Sequence, residues 1–247
     1  CGMGCRRGAK RGTTRTWIQR AVDQGARILV ETEAKRIITE NGRAIAVEVQ
    51  QAQSDGTRNT FRIKADRFIV AAGSVQTPAL LLRSGLSHPN LGKNLFFHPT
   101  VGVTAEYAEN SQSWFGVMMS AVNKSGLKID GNYGFWIETP PIHPGLAGLA
   151  LPWQNARQHK TDMLRFSRMA SFIVLVRDKH GGQVTVDKQG NAQVNYVLHP
   201  YDRKHFLLGI RDAFKIHRAA GAKEILIPHN KRLTYQPGKT KILMDSF

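Results

Sequence analysis

Residues 67–87 carry the pattern best suited to bind a ligand through the protein backbone. Residues 68–70 (Phe-Ile-Val) are apolar and long enough for one buried strand. The four residues that follow, 71–74 (Ala-Ala-Gly-Ser), have almost no side chain, which lets a ligand approach the backbone. Thr77 and Pro78 then predict a helix start, with Thr77 as the N-cap and Pro78 at the first helical position. A strand, a short turn and a helix in this order hold ligands in open α/β sheets, and the helix start favours negative charge.

The nine histidines and a few acidic residues are the other candidates for chemistry. No His-x-x-x-His or His-Glu pair is present, so the sequence predicts no metal site. His199 and His205 flank a turn and a helix start, which predicts that both lie at the surface. Asp178 follows an apolar segment and has two interpretations, a strand-end turn or an electrostatic partner in a substrate cleft, of which the first is favoured. Spacing identifies no Ser-His-Asp arrangement, and the sequence places no catalytic base.

Apolar periodicity and turn signals predict the elements that would position these residues. Asn41-Gly42 predicts a tight hairpin turn, and Gly221 ends a long amphipathic helix. The predicted helices cover residues 13–23, 78–83 and 201–220, and the predicted strands cover residues 26–30, 35–39, 44–49, 61–65, 68–70, 172–176, 183–187 and 192–198. After about residue 103 the pattern changes to antiparallel strands followed by a helix, so two domains are expected, at residues 1–103 and 104–247.

Two adjacent motifs then give a family resemblance. Residues 73–86 (Gly-Ser-Val-Gln-Thr-Pro-Ala-Leu-Leu-Leu-Arg-Ser-Gly-Leu) resemble the second signature of the glucose–methanol–choline (GMC) flavin oxidoreductases. Residues 90–100 (Asn-Leu-Gly-Lys-Asn-Leu-Phe-Phe-His-Pro-Thr) resemble the segment that follows it in that family. Upstream, residues 25–28 (Gly-Ala-Arg-Ile) and 41–44 (Asn-Gly-Arg-Ala) are similar to the middle of its flavin-binding domain. Residues 137–141 (Ile-Glu-Thr-Pro-Pro) and the Cys-Gly-x-Gly-Cys opening look most like the long-chain alcohol oxidase branch.

The resemblance implies a fold, a cofactor and a set of residues that contact the cofactor. The implied fold class is α/β plus α+β: part of a Rossmann-like FAD-binding domain, followed by an antiparallel-sheet substrate domain with helices on one face. The implied reaction is oxidation of a small-molecule alcohol, with hydride transfer to FAD; the alcohol and the electron acceptor are left open. The residues expected at FAD are Ala34, by its backbone at the adenine, and Ala71, Ala72, Gly73, Ser74, Thr77 and Pro78.

The resemblance also shows which motifs of the family are missing from this sequence. The family uses a Gly-x-Gly-x-x-Gly anchor for the FAD pyrophosphate and a catalytic histidine in its C-terminal part, and neither motif is found in this sequence. We therefore interpret the chain, which begins with cysteine, as an internal piece that binds FAD weakly and turns nothing over alone. In such an enzyme, aromatic and methionine residues of the second half would line a lipophilic pocket, although most such residues belong to cores. These residues are Trp114, Phe115, Met118, Met119, Phe135, Trp136 and Trp153.

Composition supports one competing interpretation. Lysine and arginine number 35 against 18 acidic residues, a net charge of +17, which would suit a non-enzymatic binding module for nucleic acid or another anionic surface. The basic residues are spread along the chain without interleaved aromatics, so nucleic acid is a minor expectation. Two cysteines, Cys1 and Cys5, are too few for a disulfide framework and have no second pair for a metal. The location is left open between the cytoplasm and a membrane surface.

Overall fold

The structure, a computed structural model, describes residues 5–227, 229 and 232–239. Its helices are α1 (Trp17–Asp23), α2 (Gly73–Arg83), α3 (Pro144–Ala150), α4 (Ala156–Leu164) and α5 (Pro200–Ala219), with short 3-10 turns at Thr13–Arg15 and Phe166–Arg168. Its strands are β1 (Thr32–Glu40), β2 (Arg43–Ala52), β3 (Arg58–Lys64), β4 (Lys93–Leu95), β5 (Thr100–Glu106), β6 (Val122–Asn123), β7 (Phe135–Glu138), β8 (Met169–Val176), β9 (Gly182–Val186), β10 (Ala192–Asn195), β11 (Glu224–Ile227) and β12 (Leu233–Tyr235).

The chain divides into two compact units. The first consists of Cys1–Leu95 with Gly181–Val197, and the second of Phe96–His180 with Leu198–Phe247. The β9–β10 hairpin thus belongs to the unit formed mainly by the N-terminal residues. The expected domain boundary at residue 103 stays a prediction.

The first unit contains two small antiparallel sheets. Strands β1, β2 and β3 form a meander in that order, and β10, β9 and β4 form the other sheet. Asn41 and Gly42 make the β1–β2 turn with φ of +50° and +76°, the two positive values that a two-residue hairpin of this twist requires. The predicted hairpin is therefore confirmed. Helix α2 packs Ala79 against Leu95 and Val184 of the second sheet, which forms the unit's small apolar cluster.

The Rossmann-like part of the predicted fold is absent from the residues that the structure describes. Residues 26–30 and 68–70 are not strands, and every strand pair in the described ranges is antiparallel. Ile69 is 93% exposed and Val30 is 69% exposed. A strand needs a neighbour for its backbone N–H and C=O groups, and no described strand pairs with either segment. The two strand predictions are therefore wrong for this structure.

The second unit is a six-stranded antiparallel sheet with a long helix across one face. The strand order is β12-β11-β5-β8-β7-β6. Alternate residues of the central strands point to the helix side, including Val103 and Val174, and α5 covers them with Ala213 and Phe214. Helix α5 lies close to the sheet at Gly209, where a Cβ would lie 2.3 Å from Val174 Cγ1. Antiparallel sheet and covering helix agree with the α+β expectation.

The helices α1–α5 also bear on membrane topology. Within the described ranges, none of them combines the length and the apolar character needed to cross a bilayer.

Candidate cofactor and substrate sites

The segment predicted to contact the cofactor is an exposed turn that leads into α2. Residues 71–74 are exposed, and the helix begins at Gly73 rather than at Pro78. Thr77 does not cap the helix start as predicted; its Oγ1 instead accepts the N–H of Ala72 at 2.9 Å. Pro78 lies inside the helix, where its missing N–H leaves the carbonyl of Ser74 without the usual intrahelical donor. The helix-start prediction was therefore wrong by five residues.

Gly73 is required by its backbone conformation. Its φ of +84° lies in the region that L side chains rarely adopt, whereas a Cβ built there would meet nothing within 4 Å. The turn is thus open in front of the backbone, and a flat ligand group could lie against it. These small, exposed residues fit the role expected of a cofactor cradle.

Ala34 lies on β1 beside a β-bulge, and its carbonyl already has a partner. The Arg83 guanidinium donates to the carbonyl oxygens of Ala34 and Lys35, both at 2.8 Å. Ser84 Oγ accepts the Ile37 N–H at 2.9 Å. The end of α2 therefore fixes the β1 backbone where the adenine contact was predicted. A carbonyl has two lone pairs, so an adenine bound there would share the Ala34 oxygen with Arg83.

Sequence reasoning missed Arg83. Its contacts join residues 48 and 49 positions apart along the chain, a separation that no local pattern records. Its only signal was its place in the motif, directly before Ser84-Gly85.

The second unit has one small apolar cavity among its described residues that bears on the predicted lipophilic pocket. It encloses about 30 Å³, the size of one water molecule. Substrate pockets usually hold several hundred cubic ångströms, so this cavity is too small for a long-chain alcohol. Its lining includes a hydroxyl pair, Thr104 Oγ1 and Ser171 Oγ, 2.7 Å apart. The full lining is Thr104, Ser113, Ile142, Ala147, Ala150, Leu151, Phe166, Met169 and Ser171.

None of the seven residues predicted to line a lipophilic pocket lines this cavity. Phe135 is a core residue with 2% exposure. Trp114 stacks on Phe166, with ring centroids 5.4 Å apart. Phe115, Met118 and Trp153 are exposed. The pocket expectation therefore stays a prediction, and Phe135 has the core role that was its alternative.

A buried network of arginines and carboxylates lies at one end of the paired strands β5 and β11 in the second unit. Glu106 and Glu224 lie directly opposite each other on β5 and β11, a repulsive placement for two carboxylates. Arg165 Nη1 lies 2.6 Å from one and 2.5 Å from the other, and Arg168 binds Glu106 as well. Asp162, fully buried, binds both Arg165 and the Arg232 side chain.

These carboxylate partners stabilise the positive charge of Arg165. Burial disfavours the guanidinium charge, but hydrogen bonds with Glu224 and Asp162 outweigh it and raise the pKa of Arg165 above its ordinary value. Three arginines face three carboxylates, so the network is neutral and its role is structural.

The predictions for single polar residues had mixed outcomes. Asp178 is buried and its Oδ2 accepts the Phe97 N–H at 2.8 Å, which agrees with the strand-end interpretation. His199 is exposed, as predicted. His205 is 2% exposed, so its surface prediction was wrong; it lies on the face of α5 turned into the protein. Backbone hydrogen bonds, first that of Ala9, lower the pKa of the half-buried Cys5 thiol, whereas Cys1 lies outside the described residues.

Comparisons with known proteins agree with the family resemblance of the motifs. Residues 1–100 match the sequence profile of the GMC oxidoreductase family. The chain is 33% identical over 242 residues to the long-chain-alcohol oxidase FAO3 of Arabidopsis thaliana, covering 91% of this chain and 32% of that protein. It is 38% identical over 186 residues to the GMC-type oxidoreductase y4nJ of Sinorhizobium fredii, covering 74% of this chain and 35% of the relative.

The coverage and the structural likeness limit what these matches mean. The chain spans about a third of the length of these curated relatives. A solved FAD-dependent oxidoreductase from Chaetomium thermophilum superposes with a TM-score of 0.49 and 14% identity, over 93% of this chain and 50% of that one, a likeness too weak to support a conclusion. The family assignment therefore depends on sequence: residues 1–100 belong to the GMC oxidoreductase family, and the similarity to a GMC-type oxidoreductase extends over 74% of the chain.

Proposed function

We propose that these residues serve as part of an FAD-dependent oxidoreductase that acts on the CH–OH group of an alcohol. The observation that carries the proposal is the similarity to a long-chain-alcohol oxidase over 91% of the chain. The name of that relative suggests an alcohol with a long apolar chain as substrate. When bound, FAD would accept the hydride from the carbinol carbon.

The chain's own contribution is to hold the cofactor and to orient it. The open turn at residues 71–74 presents backbone to the cofactor, and Arg83 keeps the β1 backbone at Ala34 in place. No side chain in the described ranges is assigned as the base that takes the hydroxyl proton. The sequence also has no Gly-x-Gly-x-x-Gly for the pyrophosphate. We expect the longer protein to supply both, and the 247-residue chain alone to bind FAD weakly and oxidise no alcohol.

The test compares two glycines with similar positive φ values. Gly73 and Gly85 have φ of +84° and +80°, and a Cβ at either would meet nothing within 4 Å. Alanine at either position should therefore cost a similar ~1 kcal/mol of folding stability through backbone strain. In the full-length flavoprotein, Gly73→Ala should also weaken FAD binding at least tenfold, and Gly85→Ala should not. FAD content and affinity are read from flavin absorbance and fluorescence.

Two results would count against the proposal. Equal loss of FAD affinity in both variants would make Gly73 merely structural. A stoichiometric yellow complex with alcohol-oxidising activity from the 247-residue chain alone would show that the missing anchor and base are not needed.

A further inference from the structure

The second unit exposes an apolar surface formed by a turn after β5, by α3 and the residues that follow it, and by the end of α4. Six large apolar side chains there are each more than half exposed, with Leu149 at 87% and Phe115 at 80%. Contiguous apolar patches larger than a few hundred square ångströms are rare on protein surfaces that face only water, and they mark sites of interaction. The six residues, called the apolar face below, are Phe115, Val117, Met118, Leu149, Trp153 and Leu164.

Backbone and side-chain contacts bring the segments of the apolar face together. The Ile142 N–H donates to the Ser113 carbonyl at 2.8 Å, so the turn that follows Ser113 runs beside the segment that enters α3. His159 Nε2 lies 2.8 Å from the Gly148 carbonyl oxygen and joins α4 to α3. The apolar face is therefore one surface of the folded unit rather than a set of scattered side chains.

The apolar face lies on the side of the sheet opposite α5. Ile225 of β11 packs in the cluster under α5, whereas the next residue, Leu226, packs with Ala147 of α3 and with Phe166. Successive residues of a strand point to opposite faces of a sheet, so α3 and α5 cover opposite faces. The cavity under α3 encloses about 30 Å³, too small for the aromatic or arginine side chain by which a protein partner usually anchors itself. At this point the face presents protruding apolar side chains rather than an anchoring pocket.

The segments that form the apolar face are positively charged. Residues 109–129 and 139–161 hold four exposed lysines and arginines, whereas their one acidic residue is the exposed Glu109. The next acidic residue after them, Asp162, is fully buried and paired with two arginines. The four cations are Lys124, Lys128, Arg157 and Lys160.

Helix α4 combines both properties on one side. Arg157, Lys160 and Leu164 are all exposed. They are spaced by three and four residues, which puts them on the same face of the helix. A partner that contacts α4 there meets two positive charges and an apolar side chain together.

This combination fits the surface of an anionic lipid bilayer. Interfacial binding uses apolar and tryptophan side chains that enter the boundary between headgroups and acyl chains, while lysine and arginine attract anionic headgroups. A net charge of +17 attracts the chain to such a surface before contact is made. We propose that the apolar face binds anionic phospholipid membranes, with Phe115, Leu149 and Trp153 inserted and Arg157 and Lys160 at the headgroups. The inference does not depend on FAD or on the proposed alcohol oxidation.

The test measures flotation of the full-length flavoprotein with vesicles of phosphatidylcholine and phosphatidylserine. Phe115→Ser and Leu149→Ser should each weaken vesicle binding about threefold or more, and the double variant about tenfold or more, because affinity rises with the apolar area buried. Val197→Ser is the matched control, because Val197 is 85% exposed but belongs to the first unit. That variant should bind like the parent. Circular dichroism and FAD content should be the same in all variants, since the substituted side chains are exposed.

Two further measurements separate charge from insertion. Arg157→Gln combined with Lys160→Gln should weaken binding to the mixed vesicles about tenfold and leave binding to pure phosphatidylcholine unchanged. Phosphatidylcholine with brominated acyl chains, added to the mixed vesicles, should quench tryptophan fluorescence. Trp153→Phe should remove part of that quenching, because Trp153 is one of the inserted side chains.

Three results would overturn the proposal. The parent would not float with anionic vesicles if another part of the longer protein covered the apolar face. The two serine variants would bind as tightly as the parent if a different surface held the membrane. Serine variants that shift a monomer–dimer equilibrium in analytical ultracentrifugation, without a change in flotation, would assign the face to a second copy of the chain.

Discussion

The buried His217 should make the second unit lose stability as the pH falls below neutrality. It lies on α5 with no exposed surface, and its Nε2 donates to the Val103 carbonyl at 3.0 Å. Its Nδ1 therefore accepts the hydroxyl hydrogen of Tyr107 at 2.7 Å, which fixes the neutral tautomer. Burial lowers the pKa of His217 to about 4, although its hydrogen bond with the Val103 backbone opposes the shift.

The sign and size of the effect follow from this depressed pKa. Above about pH 6.5 the histidine is neutral in both states, so it adds no pH dependence. Between pH 6.5 and 4 the unfolded chain binds a proton that the folded chain does not bind. Each unit of decrease in pH therefore lowers the free energy of unfolding by about 1.4 kcal/mol. By pH 4 the accumulated loss is roughly 3 kcal/mol, a large part of the stability of an ordinary domain.

Urea unfolding between pH 7 and pH 4.5, followed by tryptophan fluorescence, measures this slope. Burial also lowers the pKa of His205, so the parent slope contains more than one group and the informative quantity is a difference. His217→Gln keeps a donor for the Val103 carbonyl and should flatten the slope by about 1 kcal/mol per pH unit between pH 6 and 5. His88→Gln, at an exposed position, should leave it unchanged. Equal slopes for His217→Gln and the parent would refute the reasoning.

Two further substitutions test the contacts that hold each unit together. Arg165→Met leaves a pair of buried glutamates facing each other and should cost about 3–5 kcal/mol of unfolding free energy, whereas a loss below about 1 kcal/mol would mean the network is solvated. Arg83→Met removes two charge-assisted hydrogen bonds to the backbone around Ala34 and should cost about 2–4 kcal/mol, with Arg83→Lys recovering only part. Unchanged urea midpoints for Arg83→Met would show that β1 does not depend on that guanidinium.

Local signals predicted the elements that depend on local physics. The β1–β2 hairpin follows from Asn41-Gly42, because few other residues adopt two successive positive φ values. Helix α5 follows from its apolar period, and its end follows from Gly221 with φ of +81°. Both are decided within about twenty residues of chain, which is the range that a sequence pattern records.

Features that depend on distant partners were not predictable in the same way. Arg165 meets Glu106 and Glu224, each 59 positions away, and arginine and glutamate are too common for such pairs to stand out. Thr77 was read as an N-cap because threonine before proline is a helix-start signal, but its hydroxyl turns back to Ala72 instead. His205 is predicted at the surface from its place near a turn and a helix start, but the helical period puts it on the inner face of α5.

The order of the predicted cofactor segment, residues 71–74, is linked to that of residues 68–70, which were predicted to form a strand. Ile69 is 93% exposed, and Val30, in the other unpaired apolar segment, is 69% exposed. Burying such side chains gains about 1.5–3 kcal/mol each, and pairing their backbone satisfies polar groups that are otherwise left to water. A sheet that pairs with residues 68–70 would therefore order the strand and, through it, the turn at residues 71–74 that follows directly. If FAD binds that turn as proposed, its binding is coupled to strand formation, because a cofactor that binds only the ordered turn stabilises the paired state by the same free energy.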